Sequence, residues 1–328
     1  MIRRRNFIAL LGGTAAWPLA TRAQQRAMPV IGFLNLAEPD GDPDRLRGFR
    51  QGLKETGYVE GENVSIVYRW AEQNQVDRLP ALAADLVRRQ VTMIATGGVP
   101  SALAAKAATM SMSIPVLFVV GDDPIRQGLV PSLARPGSNL TGINFITGEL
   151  AAKRLELMRE LVRGATRVGV IAAVWGSAET VVKDVQAAAS TIGLQIQMLR
   201  ANNSREIDEA FATFGRERPD IIFVGGGPFY ASRRVQIVQL SAHYRLPASY
   251  AGREFAEVGG LMSYGGNTTE AFRQAGAYAG RILKGTKPSD LPVMQATKLE
   301  LVINRQTARM LGITVPSLLL TIADEVIE

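Results

Sequence analysis

Cysteine is absent from all 328 residues. That excludes disulfides, thiolate nucleophiles and cysteine-ligated metals. It also excludes the lipid anchor that a cysteine at a cleavage site would carry. Histidine occurs once, as His243, which removes histidine triads and histidine metal clusters. A single histidine is more often a partly buried structural residue than a ligand. Beyond the N-terminal segment no apolar run reaches the roughly 18–20 residues of a membrane span. Strong charge is lacking as well. The formal net charge is +7, but Arg3, Arg4, Arg5 and Arg22 lie in an acid-free N-terminal segment, which leaves +3 on the remainder. That is too mild for nucleic-acid recognition, and no Lys/Arg run is interleaved with aromatics. No nucleophile elbow, P-loop or HExxH helix occurs, and Gly225-Gly226-Gly227 lacks the fixed spacing of a dinucleotide fingerprint. No catalytic residue, cofactor or metal is therefore expected.

What is present begins with a leader. Arg3-Arg4-Arg5-Asn6-Phe7 is a basic start, Ile8 to Ala20 is mostly apolar, and Thr21-Arg22-Ala23 places small residues where a signal peptidase reads. A signal peptide over residues 1–23, cleaved before Gln24, follows. Arg4-Arg5-Asn6-Phe7-Ile8 also resembles the twin-arginine export pattern, though Arg3 stands where Ser or Thr is usual. Both export routes stay open, and the periplasm is the expected compartment.

After the leader, strand and helix patterns alternate. Short β-branched or apolar runs such as Pro29–Leu34, Val91–Ala95 and Pro115–Val120 are separated by amphipathic stretches such as Arg45–Thr56 and Val76–Arg89. The rhythm restarts near Leu150 with strands at Val168–Ala172, Gln195–Leu199, Ile221–Val224 and Pro247–Tyr250. Such alternation predicts βαβ units and parallel sheets. Two sets of units predict an α/β chain with two Rossmann-like, doubly wound lobes. A lone Ala/Gly-rich helix over Thr268–Leu283 then predicts a return to the first lobe. The expected division is 28–146 plus 266–288 for one lobe and 147–265 plus 289–328 for the other. The three chain crossings fall near Thr147, near Gly265 and between Pro288 and Pro292. Lobes joined in this way close on a ligand by hinge bending.

Several segments carry a family resemblance. They are Phe49–Gly61, Asp77–Val87, Glu149-Leu-Ala-Ala-Lys-Arg-Leu-Glu156, Gly259-Gly-Leu-Met-Ser-Tyr-Gly265 and Ile282–Pro292. Together they resemble the ABC transporter substrate-binding proteins of the tryptophan/aromatic amino-acid uptake type, over about Pro29 to Glu328. The resemblance implies a type I periplasmic binding fold, capture of a small-molecule ligand, delivery to an ABC permease in the inner membrane, and a monomer. A secreted enzyme on a Rossmann-like scaffold is the alternative. It is disfavoured by the missing catalytic groups and by an export leader that removes the NAD supply. A sugar-repressor-like regulator would need a DNA-binding helix pair where the leader stands.

In doubly wound lobes ligands sit at the carboxyl ends of strands. The foremost candidate is the turn holding Gly97, Gly98, Pro100 and Ser101, which ends a strand and opens a helix. Its free N–H groups favour a carboxylate; the plain reading is a βα turn. Asp122 and Asp123 follow the next strand and could hold an ammonium group, or cap a helix before Pro124. Asn35 and Trp70 end the first two strands. In the second half Phe229 and Tyr230 follow the triple glycine, and Tyr250 and Glu254 follow the next strand; these aromatics could face a ligand or belong to the core. The ligand expected from these groups is a small solute bearing a carboxylate, an amino acid among the candidates.

Overall fold

The computed structural model describes residues 28–37, 43–72, 74–145, 150–173, 178–296 and 298–328. The leader, Glu38 and the first crossing at Thr147 lie outside them. The first half runs β1 (Val30–Asn35), α1 (Pro43–Glu55), β2 (Ser65–Trp70), α2 (Leu79–Arg88), β3 (Met93–Gly97), α3 (Val99–Ala108), β4 (Val116–Val120) and β5 (Leu140–Asn144). The second half runs α4 (Leu150–Leu161), β6 (Arg167–Ala172), α5 (Ala178–Thr191), β7 (Gln195–Arg200), α6 (Ser204–Glu217), β8 (Ile221–Val224), α7 (Pro228–Ser232), α8 (Arg234–His243), β9 (Ala248–Tyr250), α9 (Arg253–Glu257) and β10 (Met262–Gly266). Then come α10 (Thr268–Leu283), β11 (Met294–Gln295), β12 (Leu299–Asn304), α11 (Arg305–Met310), α12 (Ser317–Ile322) and β13 (Glu325–Ile327).

The strands form two sheets, ordered β11-β5-β4-β3-β1-β2 and β13-β12-β10-β9-β8-β6-β7. All pairings are parallel except β10 with β12. Every residue of β3, β4 and β8 is buried, because helices cover both faces of a parallel sheet and a strand there is apolar on both sides. In both sheets the order turns back on itself, between β1 and β3 and between β6 and β8. The chain is thus a two-lobed α/β protein with the type I periplasmic binding architecture.

Helix α10 returns to the first lobe for a steric reason. Its Ala271, Phe272, Ala275 and Ala279 share a core with Ile31, Phe33, Phe49 and Leu53. Helix α1 meets it through glycines: a Cβ at Gly52 would run into the carbonyl oxygen of Arg273, and one at Gly276 into that of Phe49. Only residues without a Cβ allow backbones this close.

One expected boundary needs correction. The stretch after Pro288 does not pass to the second lobe. Leu291 is fully buried in the first lobe's core, and β11 pairs with β5 through Met294–Ile143 and Gln295–Asn144. Residues 289–295 therefore stay with the first lobe and end in β11, which adds an edge strand to its sheet. The third crossing lies after Ala296, whose N–H still donates to Asn144 O at 2.8 Å.

Candidate functional site

The carboxyl ends of both sheets face one cavity between the lobes, with about 160 Å³ open to the centres of water-sized molecules. Two matching turns meet across it. Gly98 precedes α3 with φ +85° and ψ 156°, and Gly227 precedes α7 with φ +118° and ψ 164°. That region of backbone space is essentially reserved for glycine. A Cβ on Gly98 would sit 3.1 Å from Cγ of Pro228 in the opposite lobe. Two further bridges span the lobes. Arg45 Nη2 of α1 lies 3.4 Å from Glu254 Oε1 of α9, and Asn74 Nδ2 donates to Asn202 O at 3.1 Å. Asn74 holds a left-handed conformation, φ +61°, which asparagine tolerates better than most residues. The lobes are closed on each other in this structure.

The cavity wall is mostly apolar. Phe145 and Phe272 stand on the first lobe, and Phe223, Phe229, Tyr230 and Phe255 on the second. Among them stand the charged groups Arg45, Asp122, Arg154 and Glu254. An apolar pocket with a few converging polar groups is the ordinary form of a small-molecule site.

Arg154 is the group with most to say about the ligand. It projects from the buried face of α4, in line with Leu150, Ala151, Leu155, Leu157, Met158 and Leu161. Its Nη2 donates to Val224 O at the end of β8, at 2.8 Å, and to Ser249 O within β9, at 2.7 Å. Its guanidinium carbon stands 3.9 Å from the centroid of the Phe223 ring. Its Nε is buried with no hydrogen-bond partner among the described residues. No described carboxylate lies within ion-pair distance of it. Burial alone pulls its pKa down from the ordinary range to about 9, because a cation removed from water without a counter-charge is disfavoured.

Six of the twelve residues singled out from the sequence lie on this wall: Gly98, Pro100, Asp122, Phe229, Tyr230 and Glu254. Tyr230 is fixed by its hydroxyl, which donates to Ala201 O at 2.9 Å. The other six do not line the cavity. Asn35 is buried, accepts from Ala37 N at 3.2 Å, and packs against Gly97. Gly97 itself is enclosed by Asn35 and Phe272. Ser101 is completely buried in the first turn of α3, with no partner for its hydroxyl among the described residues. Trp70 covers the first lobe, stacked on Tyr68 at 6.0 Å and tilted against Phe33 at 5.7 Å. Asp123 is exposed and caps its own turn, accepting from Ile125 N at 2.8 Å. Tyr250 is core: it stacks on Phe255 at 4.8 Å and donates to Ser241 Oγ at 3.1 Å. It faces a separate hollow between α8 and α11, whose lining carries one charged group, the exposed Arg245.

Arg45, Asn74, Phe145, Arg154, Phe223, Phe255, Thr268 and Phe272 were not singled out. Arg154 did leave a signal, since an arginine on an otherwise apolar helix face is a charge at a core position. Arg45 and Asn74 left none, because their role depends on the opposite lobe.

This cleft, on this fold, defines a solute-binding protein. The family model for ABC transporter substrate-binding proteins matches residues 30–327, and the chain belongs to that family. A curated relative, the tyrosine-binding protein of Clostridioides difficile, is 26% identical over 285 residues, spanning 86% of this chain and 80% of that one. A conserved domain protein from Vibrio cholerae superposes with a TM-score of 0.83 at 26% identity, over 91% of this chain and 99% of that one. An ABC domain from Streptococcus pneumoniae, in complex with L-Trp, superposes with a TM-score of 0.81 at 26% identity and the same coverage. The chain is thus the solute-binding component of an ABC transporter, from a family whose role is capture and not catalysis.

Proposed function

We propose that this chain is exported to the periplasm, closes its lobes on an amino acid, and presents it to an ABC permease in the inner membrane. The observation that carries the ligand class is Arg154, a buried cation on the cavity wall without a carboxylate partner among the described residues. A solute carboxylate supplies the missing counter-charge. The pairing is strong because it forms away from water, where charge-assisted hydrogen bonds gain most. Asp122 and Glu254 stand on the same wall for an ammonium group, and the aromatic rings cover the side chain. The free N–H groups at the start of α3 add a mildly positive edge next to Gly98. The names of two relatives make L-tyrosine and L-tryptophan the first probes. Calorimetry of residues 24–328 against amino acids, sugars and organic acids tests the reading. Binding confined to amino acids is expected; binding confined to sugars, which carry no carboxylate, would overturn it.

A further inference from the structure

We propose that the hydrogen bond between Asn267 and Glu300 is a hinge latch that biases the empty lobes toward the closed arrangement. Solute affinity is then set partly outside the cavity. The inference goes beyond the ligand reading, and its test requires no solute.

The chain crossings lie side by side. A Cβ on Gly266 would stand 3.0 Å from Phe145 O, and Ala296 N donates to Asn144 O at 2.8 Å. Glu300 sits where they converge. In the antiparallel pairing of β10 with β12 it lies opposite Gly265. Its side chain is only 7% exposed. Its Oε2 accepts from Arg253 Nη1 at 3.1 Å and its Oε1 from Asn267 Nδ2 at 3.1 Å. Lys298 Nζ, beside the third crossing, lies 3.5 Å from Oε1.

Asn267 is itself the second crossing, between β10 of one lobe and α10 of the other. Its two side-chain ends are held by different lobes. The Oδ1 caps α10, accepting from Glu270 N at 2.9 Å, and α10 is packed into the first lobe. The Nδ2 is held by Glu300 of the second lobe. Rotation of the lobes about the crossings must strain or break one of these bonds, and both are intact in the closed structure. The charged end is also tied to the cleft rim. Arg253, which pairs with Glu300, is followed in α9 by Glu254, which reaches Arg45 across the cleft. Arg253, Lys298 and the Asn267 amide together fix the position of the buried Glu300 side chain.

The lack of cysteine allows a direct test. Asp77→Cys and Arg205→Cys place spin labels at two exposed sites, each three residues beyond the Asn74–Asn202 bridge. Double electron–electron resonance on solute-free protein then reads the opening of the cleft. The parent should show a resolved short-distance population. Asn267→Asp keeps the cap acceptor but sets a carboxylate against Glu300. Asn267→Ser keeps a cap and is too short to reach it. Each should lower the closed-to-open ratio about tenfold, as expected for one lost charge-assisted hydrogen bond, while the melting temperature moves by less than about 5 °C. Glu325→Gln removes a partner of Arg253 away from the crossings and should leave the ratio unchanged. A parent without the short-distance population would overturn the proposal. So would distance distributions for both Asn267 variants that match the parent's. Failure of every amino acid to bind would refute the ligand reading and leave this result untouched.

Discussion

Replacing Arg154 by glutamine should weaken capture of the solute at least about tenfold and leave the empty protein as stable as the parent, or more so. The two effects have one cause. A drop in the Arg154 pKa from its ordinary value to about 9 corresponds at neutral pH to a destabilisation on the order of 4–5 kcal/mol, one pKa unit being about 1.4 kcal/mol. Against this stand two hydrogen bonds to strand carbonyls, worth about 1 kcal/mol each net. The contact with the Phe223 ring adds about 0.5–2 kcal/mol. Glutamine is uncharged and can keep at most part of that bonding. The terms nearly cancel, so the melting temperature should hold or rise. The pH dependence follows from the same group. Between about pH 9 and pH 12 the unfolded chain holds the Arg154 proton more tightly than the folded one, so the parent gains stability as pH rises through that window. The stability of Arg154→Gln relative to the parent should therefore be greatest near neutrality and shrink at pH 10–11. Binding moves the other way. Loss of one bond to a charged group costs about 1.5–3 kcal/mol, or roughly 10–150-fold in Kd. Thermal melts across pH and calorimetry with an amino acid that binds the parent provide both readings. A Kd within about threefold of the parent's would refute the assignment. A large loss of stability at neutral pH would refute the claim that the guanidinium lacks a counter-charge.

Gly98→Val should weaken binding at least about tenfold. It forces a β-branched residue into a glycine-only conformation, a strain of about 1–3 kcal/mol, and drives its Cβ toward Pro228 where the lobes meet. Calorimetry decides it, and a variant that binds like the parent would show that the glycine turns do not meet in the bound state. Protein recovered from the periplasm should begin at or near Gln24 by intact mass; a retained Met1 there would sink the export reading.

The parallel α/β architecture was legible because strands buried on both faces read as short apolar runs, and because α1 and α2 show clean helical spacing. The third crossing was not. Met294 and Gln295 make a strand too short to carry a period, and Pro288 and Pro292 gave their segment the composition of a linker while Leu291 anchors it in the core. Within the site, position after a strand drew attention to both glycine turns, which line the cavity, but could not sort the aromatics. Phe229 and Tyr250 each follow or end a strand, yet the first reaches the cavity and the second stacks on Phe255. Asp122 and Asp123 are neighbours in sequence, and only the backbone direction decides that the second caps its own turn. Arg154 could have been found, since it breaks the apolar face of α4 in a segment already singled out for its resemblance to the family.

The most direct test of the central claim is a crystal structure of residues 24–328 grown with an amino acid that binds in calorimetry. The account predicts the solute between the lobes, its carboxylate oxygen within about 2.7–3.2 Å of the Arg154 guanidinium, with Phe145 and Phe229 against its side chain. A solute whose carboxylate is held elsewhere, with Arg154 still lacking an anionic partner, would contradict it.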